Sequence, residues 1–74
     1  MIRIWGDFNS RDEEDRIRLN TVGSLEDLDK YPKQIRGGLR IIVFDDDFEV
    51  DGILEFSEGI WKAKLLLDTG KTVS

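Results

Sequence analysis

The sequence predicts a mainly β domain: a small antiparallel barrel or strongly twisted sheet of about five strands with one short helix. Two observations carry the prediction. From Leu39 to Leu67 apolar and charged residues alternate with period two, the mark of strands with one face on a core. The alternation is interrupted twice, at Asp45-Asp46 and at Glu58-Gly59, where short acidic or glycine-containing stretches suit turns.

The three C-terminal strands are the clearest. Leu39, Ile41 and Val43 fall on one side of the first; Phe48, Val50, Leu54 and Phe56 on one side of the second; Trp61, Ala63, Leu65 and Leu67 on one side of the third. A two-residue turn at Asp45-Asp46 sets Val43 against Phe48, Ile41 against Val50 and Arg40 against Asp51. A turn at Glu58-Gly59 sets Phe56 against Trp61, Leu54 against Ala63 and Glu55 against Lys62. Both registers pair apolar with apolar inside and opposite charges outside. Gly59 supplies the positive φ that such a turn needs, whereas Asp45-Asp46 suits it less well and leaves room for a longer loop. Gly52 interrupts the inward row and predicts a bulge or bend in the middle strand.

The N-terminal half is less regular. Ile2 and Ile4 alternate with Arg3 and Trp5, and Ile17 and Leu19 alternate with Arg16 and Arg18, which predicts two short strands. Asp7 to Asp15 reads as a solvated, mobile loop. Ser24 reads as a helix cap, with Glu26 and Asp27 at the positive end of the dipole and Leu25, Leu28 and Tyr31 on one face. Pro32 limits that helix to about two turns.

Residues 1–74 read as one domain, without repeats or a linker. There is no cysteine, which leaves packing as the source of stability. The opening residues do not read as a signal peptide, and the longest apolar run, Leu65-Leu66-Leu67, is far short of the ~20 residues that cross a bilayer. A cytoplasmic location without a membrane partner is the expectation. Sixteen acidic residues against eleven basic ones give a net charge of −5, which disfavours nucleic acid as a partner.

Several motifs resemble chemistry. Leu66-Leu67-Asp68-Thr69-Gly70 is similar to the active-site turn of aspartic proteases, but that family builds its flap downstream of the motif and here four residues follow. Gly70-Lys71-Thr72 lacks the first glycine of a phosphate-binding loop, Leu65 standing in its place. Asp47 to Glu58 fits the ligand spacing of a calcium loop, with Asp47, Glu49, Asp51 and Glu58 at ligand positions and Gly52 at the tight turn. Its flanks alternate like strands where helices are required. There is no histidine, and no carboxylate pair stands in an apolar run that would raise its pKa. These absences predict a non-catalytic protein without a cofactor.

Two surfaces remain. Ile42, Phe44, Ile53 and Leu66 break the charged pattern of the outward side and predict an apolar stripe for a protein partner or a second copy of the chain, unless the helix or the N-terminal strands cover it. Arg3, Arg16 and Arg18, with Trp5, predict a shared face on an N-terminal strand pair, where arginines beside an aromatic suit single-stranded nucleic acid.

Gly37 to Asp68 resembles the strands of an SH3-like small barrel, through Gly38-Leu39-Arg40-Ile41-Ile42-Val43, the acidic turn, the strand interrupted at Gly52, and Trp61-Lys62-Ala63. The resemblance implies binding of peptides, RNA or other subunits rather than catalysis. The aromatic groove of its peptide-binding members has no residue-by-residue counterpart here.

Overall fold

The computed structural model describes residues 1–72. The chain runs β1 (Arg3–Trp5), a 3-10 turn (Phe8–Ser10), β2 (Arg16–Arg18), α1 (Val22–Asp29), β3 (Arg40–Phe44), β4 (Phe48–Ser57), β5 (Ile60–Leu65), a second 3-10 turn (Leu67–Thr69) and β6 (Lys71–Thr72). All six strands belong to one sheet of order β1-β3-β4-β5-β2, with β6 added to β4 beyond the end of β5. The protein is therefore mainly β with one short helix. Of the two predicted shapes it takes the open sheet, because β1 and β2 end the strand order without pairing to each other.

Most of the predicted interior is the observed one, although Phe56 and Leu67, placed in the inward rows, are 59% and 43% exposed. Ile4, Ile17, Ile41, Val43, Val50 and Leu54 are all at most 1% exposed, and Leu28 of the helix closes the core over them. Burial on this scale is the main driving force for a chain of this length, at about 25 cal/mol per Å² of apolar surface.

The β4–β5 hairpin keeps the register read from the sequence, with Phe56 opposite Trp61, Glu55 opposite Lys62 and Leu54 opposite Ala63. Its turn holds both Glu58 (φ 55°) and Gly59 (φ 79°) in the left-handed region, the twist that suits a two-residue hairpin. The β3–β4 register differs by two residues. Val43 pairs with Val50, Ile41 with Gly52 and Arg40 with Ile53. The cause is Asp45, whose carboxylate accepts from the N–H groups of Asp47 and Phe48 at 2.8 Å each, so Asp46-Asp47 forms the turn. A shift of two leaves every side chain on its predicted face, so the error cost nothing inside. Arg40 still reaches Asp51, diagonally, at 2.7 Å.

Gly52 makes no bulge, since its pairing is continuous with Ile41 on one side and Leu65 on the other. It permits close approach instead. A Cβ there would stand 3.2 Å from Val43 Cγ2 and 3.3 Å from the Lys64 carbonyl.

β1 is parallel to β3, against the antiparallel expectation, because a crossover through β2 and α1 separates them. The helix cap is Thr21 rather than Ser24. Thr21 Oγ1 accepts from the Ser24 N–H at 3.1 Å, which frees Ser24 to be buried inside the first turn. Leu28 is buried but Leu25 is 50% exposed.

Asp7 to Asp15 is not an unstructured loop. Asp7 caps the first 3-10 turn by accepting from the Asn9 N–H at 2.9 Å, and Phe8 packs edge-on against Phe48 with centroids 5.4 Å apart.

Both end strands are closed by groups from elsewhere in the chain. The Trp5 N–H donates to the Asp27 carboxylate at 2.8 Å, and the Ser24 hydroxyl donates to the Trp5 carbonyl at 2.5 Å. On β2, the Arg16 N–H donates to the Asp12 carboxylate at 3.0 Å, and the Arg16 carbonyl accepts from the Asp12 N–H at 2.9 Å. Such groups occupy positions that a foreign strand would otherwise take.

Candidate functional site

The outward sheet face is a lattice of ion pairs with apolar residues between them. Arg3 meets Glu49 at 2.8 Å, Lys71 meets Glu49 at 3.2 Å, Arg40 meets Asp51 at 2.7 Å and Lys62 meets Glu58 at 2.9 Å. Hydrogen bonds from Arg3 and then Lys71 hold the Glu49 carboxyl below its ordinary range. Lys62 does the same to Glu58. Asp12 is also lowered, chiefly by the Arg16 backbone N–H. Each resolved shift favours the charged carboxylate, the direction of structural pairing and opposite to that of a carboxyl tuned as a general acid.

The four residues of the predicted stripe, Ile42, Phe44, Ile53 and Leu66, are all half-buried on this face. The helix does not cover them; it packs along the edge at β1. Long charged side chains cover them in part. The Arg3 guanidinium lies 4.8 Å from the Phe44 ring centroid, and Trp5 meets the same ring edge-on at 5.6 Å. Ile42 stands between Arg3 and Asp51 in the strand rows, and Ile53 between Arg40 and Lys64. A partner docking here would first have to disturb the ion pairs above these residues.

The predicted grouping of Arg3, Trp5, Arg16 and Arg18 on one strand pair is incorrect. β1 pairs with β3 and β2 with β5, so three strands separate the first two residues from the last two. The alternation of each short strand fixed its buried face but carried no information about its neighbour. Arg3 is engaged by Glu49 and Phe44, and Arg16 by Asp12, Glu14 and Glu55.

The calcium loop is overturned. Phe48–Ser57 is one continuous ten-residue strand, so Asp47 and Glu58 flank its opposite ends, far beyond the reach of one cation. They cannot share a cation. Among the described residues no group of three or more acidic side chains is arranged to hold a metal ion. Asp68-Thr69-Gly70 is a structural turn, in which Thr69 Oγ1 accepts from the Asp51 N–H at 2.8 Å and donates to the Leu66 carbonyl at 2.7 Å.

A surface that sequence reasoning missed lies on the opposite side. Phe56 belongs to the inward row, yet it is 59% exposed, because it sits beside the turn where the hairpin projects past the helix. Its ring meets Trp61 edge-on with centroids 5.1 Å apart. Trp61 in turn forms one wall of a cleft of about 360 Å³, whose other walls are Leu25, Leu28, Asp29, Pro32 and Ile35. Aromatic residues beside a concave apolar surface are the usual anchors of protein recognition. The available signal was the helix length: a helix stopped by Pro32 after two turns is too short to roof a ten-residue strand.

Among the described residues no helix is long and apolar enough to cross a membrane. No protein-family model, curated protein or solved structure matches this chain.

Proposed function

We propose that this domain is a non-catalytic protein-interaction module, and that its docking surface is the cleft walled by Leu25, Pro32, Ile35 and Trp61 and extended by Phe56. The observation that carries the reading is Phe56, a large apolar side chain 59% exposed next to a second aromatic and a concave apolar wall. The occupant is a partner protein that inserts one bulky apolar side chain flanked by basic residues. A net charge of −5, with Asp29 in the cleft wall, favours a basic partner and opposes docking of a second, equally acidic copy. A cleft that admits one or two side chains supports only a small interface, so the affinity expected is on the order of micromolar or weaker.

The stripe of Ile42, Phe44, Ile53 and Leu66 is the second surface proposed for the same role, weakened by the charged side chains over it. The likeness to SH3-like barrels is kept as a proposal on the strength of the β3–β4–β5 meander; the parallel β1 and the unclosed sheet count against it. Cytoplasmic location belongs to the same proposal.

The test is selection of binders from a displayed peptide library, followed by amide chemical-shift titration of the purified domain. Selected peptides should carry an apolar anchor with basic neighbours and shift Leu25, Phe56 and Trp61, and Phe56→Ser should abolish their binding while leaving the fold intact. Shifts centred on Ile42 and Phe44 would move the site to the stripe. A dimer in solution that Phe56→Ser dissociates would replace the partner by a second copy. Failure to select any binder that Phe56→Ser affects removes the cleft.

A further inference from the structure

On the sheet face away from the cleft, four cations stand in a block. Arg16 lies directly opposite Lys64, and Arg18 directly opposite Lys62. Like charges in directly opposed positions destabilise a sheet. Elsewhere on this face bases meet acids, as Arg3 meets Glu49 and Arg40 meets Asp51. In a chain with sixteen acidic residues the block departs from the local rule, and such departures concentrate where a protein has a function to perform.

Three of the four, Arg16, Arg18 and Lys62, line a pocket of about 320 Å³ beside the first 3-10 turn, together with Arg11 and two carboxylates, Asp12 and Glu58. Arg11 is paired with Asp15 at 3.8 Å, so its charge is already matched. The cations are not equivalent. Arg16 is held by Asp12, Glu14 and Glu55 at 3.3–3.8 Å and belongs to the frame. Lys64 donates to the Glu14 carbonyl. Arg18 forms no ion pair among the described residues. Lys62 is only 6% exposed, and its one ion pair is with Glu58, whose side chain is 81% exposed. A buried ammonium held by one solvated carboxylate has a counter-ion that another anion can replace.

We infer that this pocket binds a dianion of phosphate chemistry, as inorganic phosphate or a phosphomonoester, with Arg18 and Lys62 as its ligands and Glu58 swinging out to admit it. The guanidinium fork of Arg18 and the ammonium of Lys62 supply donors for two or more phosphoryl oxygens. With Glu58 swung out, the two charges of Arg18 and Lys62 match a dianion better than a monocarboxylate. The site is independent of the apolar cleft.

The experiment is amide chemical-shift titration of the intact domain with inorganic phosphate and, separately, with phenyl phosphate, at low ionic strength against chloride of equal ionic strength. Saturable shifts centred on Arg18, Lys62 and Glu58 are expected with at least one probe. Phenyl phosphate alone identifies an ester as the ligand, inorganic phosphate alone a free ion. Arg18→Gln should weaken binding about tenfold, and Lys62→Met, which keeps the buried stem, at least as much. Glu58→Gln should tighten it about fivefold, because the competing ion pair is removed. No saturation with either probe by about 20 mM, equal shifts with chloride, or unchanged affinity in Glu58→Gln would overturn the assignment.

Discussion

The closure of the β1 edge by the helix gives the sharpest stability prediction. Ser24 is fully buried, and its hydroxyl donates to the Trp5 carbonyl at 2.5 Å while lying 2.9 Å from Thr21 Oγ1. Ser24→Ala removes one hydrogen bond, worth about 1 kcal/mol net, and leaves the Trp5 carbonyl without that donor, a penalty of about 1–3 kcal/mol where water cannot reach it. The alanine methyl fits the serine site, and alanine is the better helix former, which returns about 0.5 kcal/mol. The expected loss is therefore about 2 kcal/mol. A chain of 74 residues has about 4–11 kcal/mol in total, so this is a large fraction. It corresponds to a fall in Tm of roughly 8–16 °C for a domain of this size. Urea unfolding measures the energy, and amide exchange at Trp5 measures the mechanism, since the Trp5 N–H is held by Asp27 of the same helix. If Ser24→Ala costs less than about 0.5 kcal/mol, or lowers the midpoint without faster exchange at Trp5, then the helix does not secure the edge.

Leu54→Ala, at the fully buried centre of β4, should cost about 2–5 kcal/mol in urea unfolding, whereas Phe56→Ala two residues on should cost under 1 kcal/mol because that ring is largely exposed. Gly59→Ala should cost about 1 kcal/mol or more, as its φ of 79° is strained for any residue with a Cβ, and the loss would show in the urea midpoint. Acid should destabilise the fold through Glu49, Glu58 and Asp12. Their carboxyls titrate below ordinary values of 4.5, 4.5 and 3.8, so their contribution is complete above those values and lost as pH falls through the lower folded-state ones. Melting temperatures between pH 6 and pH 2 should fall across that window, and Glu49→Gln should flatten part of the fall.

The inward and outward sides of every long strand were legible because period-two alternation is a local property that survives errors in pairing. The β3–β4 turn shows this: Asp45 shifted the register by two, and Val43 and Val50 stayed inside. The β4–β5 register was readable to the residue because Gly59 marks its turn. What could not be read was anything nonlocal. Ile2-Arg3-Ile4-Trp5 specifies a face but not a neighbour, so the parallel pairing of β1 with β3 was hidden, and with it the separation of Arg3 from Arg16 and Arg18. Lys71–Thr72 is too short to have a pattern, so β6 had no signal. Phe56 was assigned correctly to the inner row, but membership of a row does not say how far the roof extends over it.

An open sheet of short strands has an inherent weakness at its two ends, and this chain answers it with side chains rather than closure. Trp5 has both main-chain groups taken by Ser24 and Asp27, and Arg16 has both taken by Asp12. These few bonds cover the outward groups of the last residue of β1 and the first residue of β2, where an added strand would begin to pair. The consequence for function is that association through strand addition is disfavoured at both edges. Both surfaces proposed above are accordingly faces: the apolar cleft beside the helix on one side, and the cation block on the other. An Asp12→Ala change separates these roles, for it should promote concentration-dependent association through β2 while leaving Leu25, Phe56 and Trp61 unshifted in the spectrum. Association that instead shifts Phe56 would mean that the cleft, not the exposed edge, drives the chain to pair with itself.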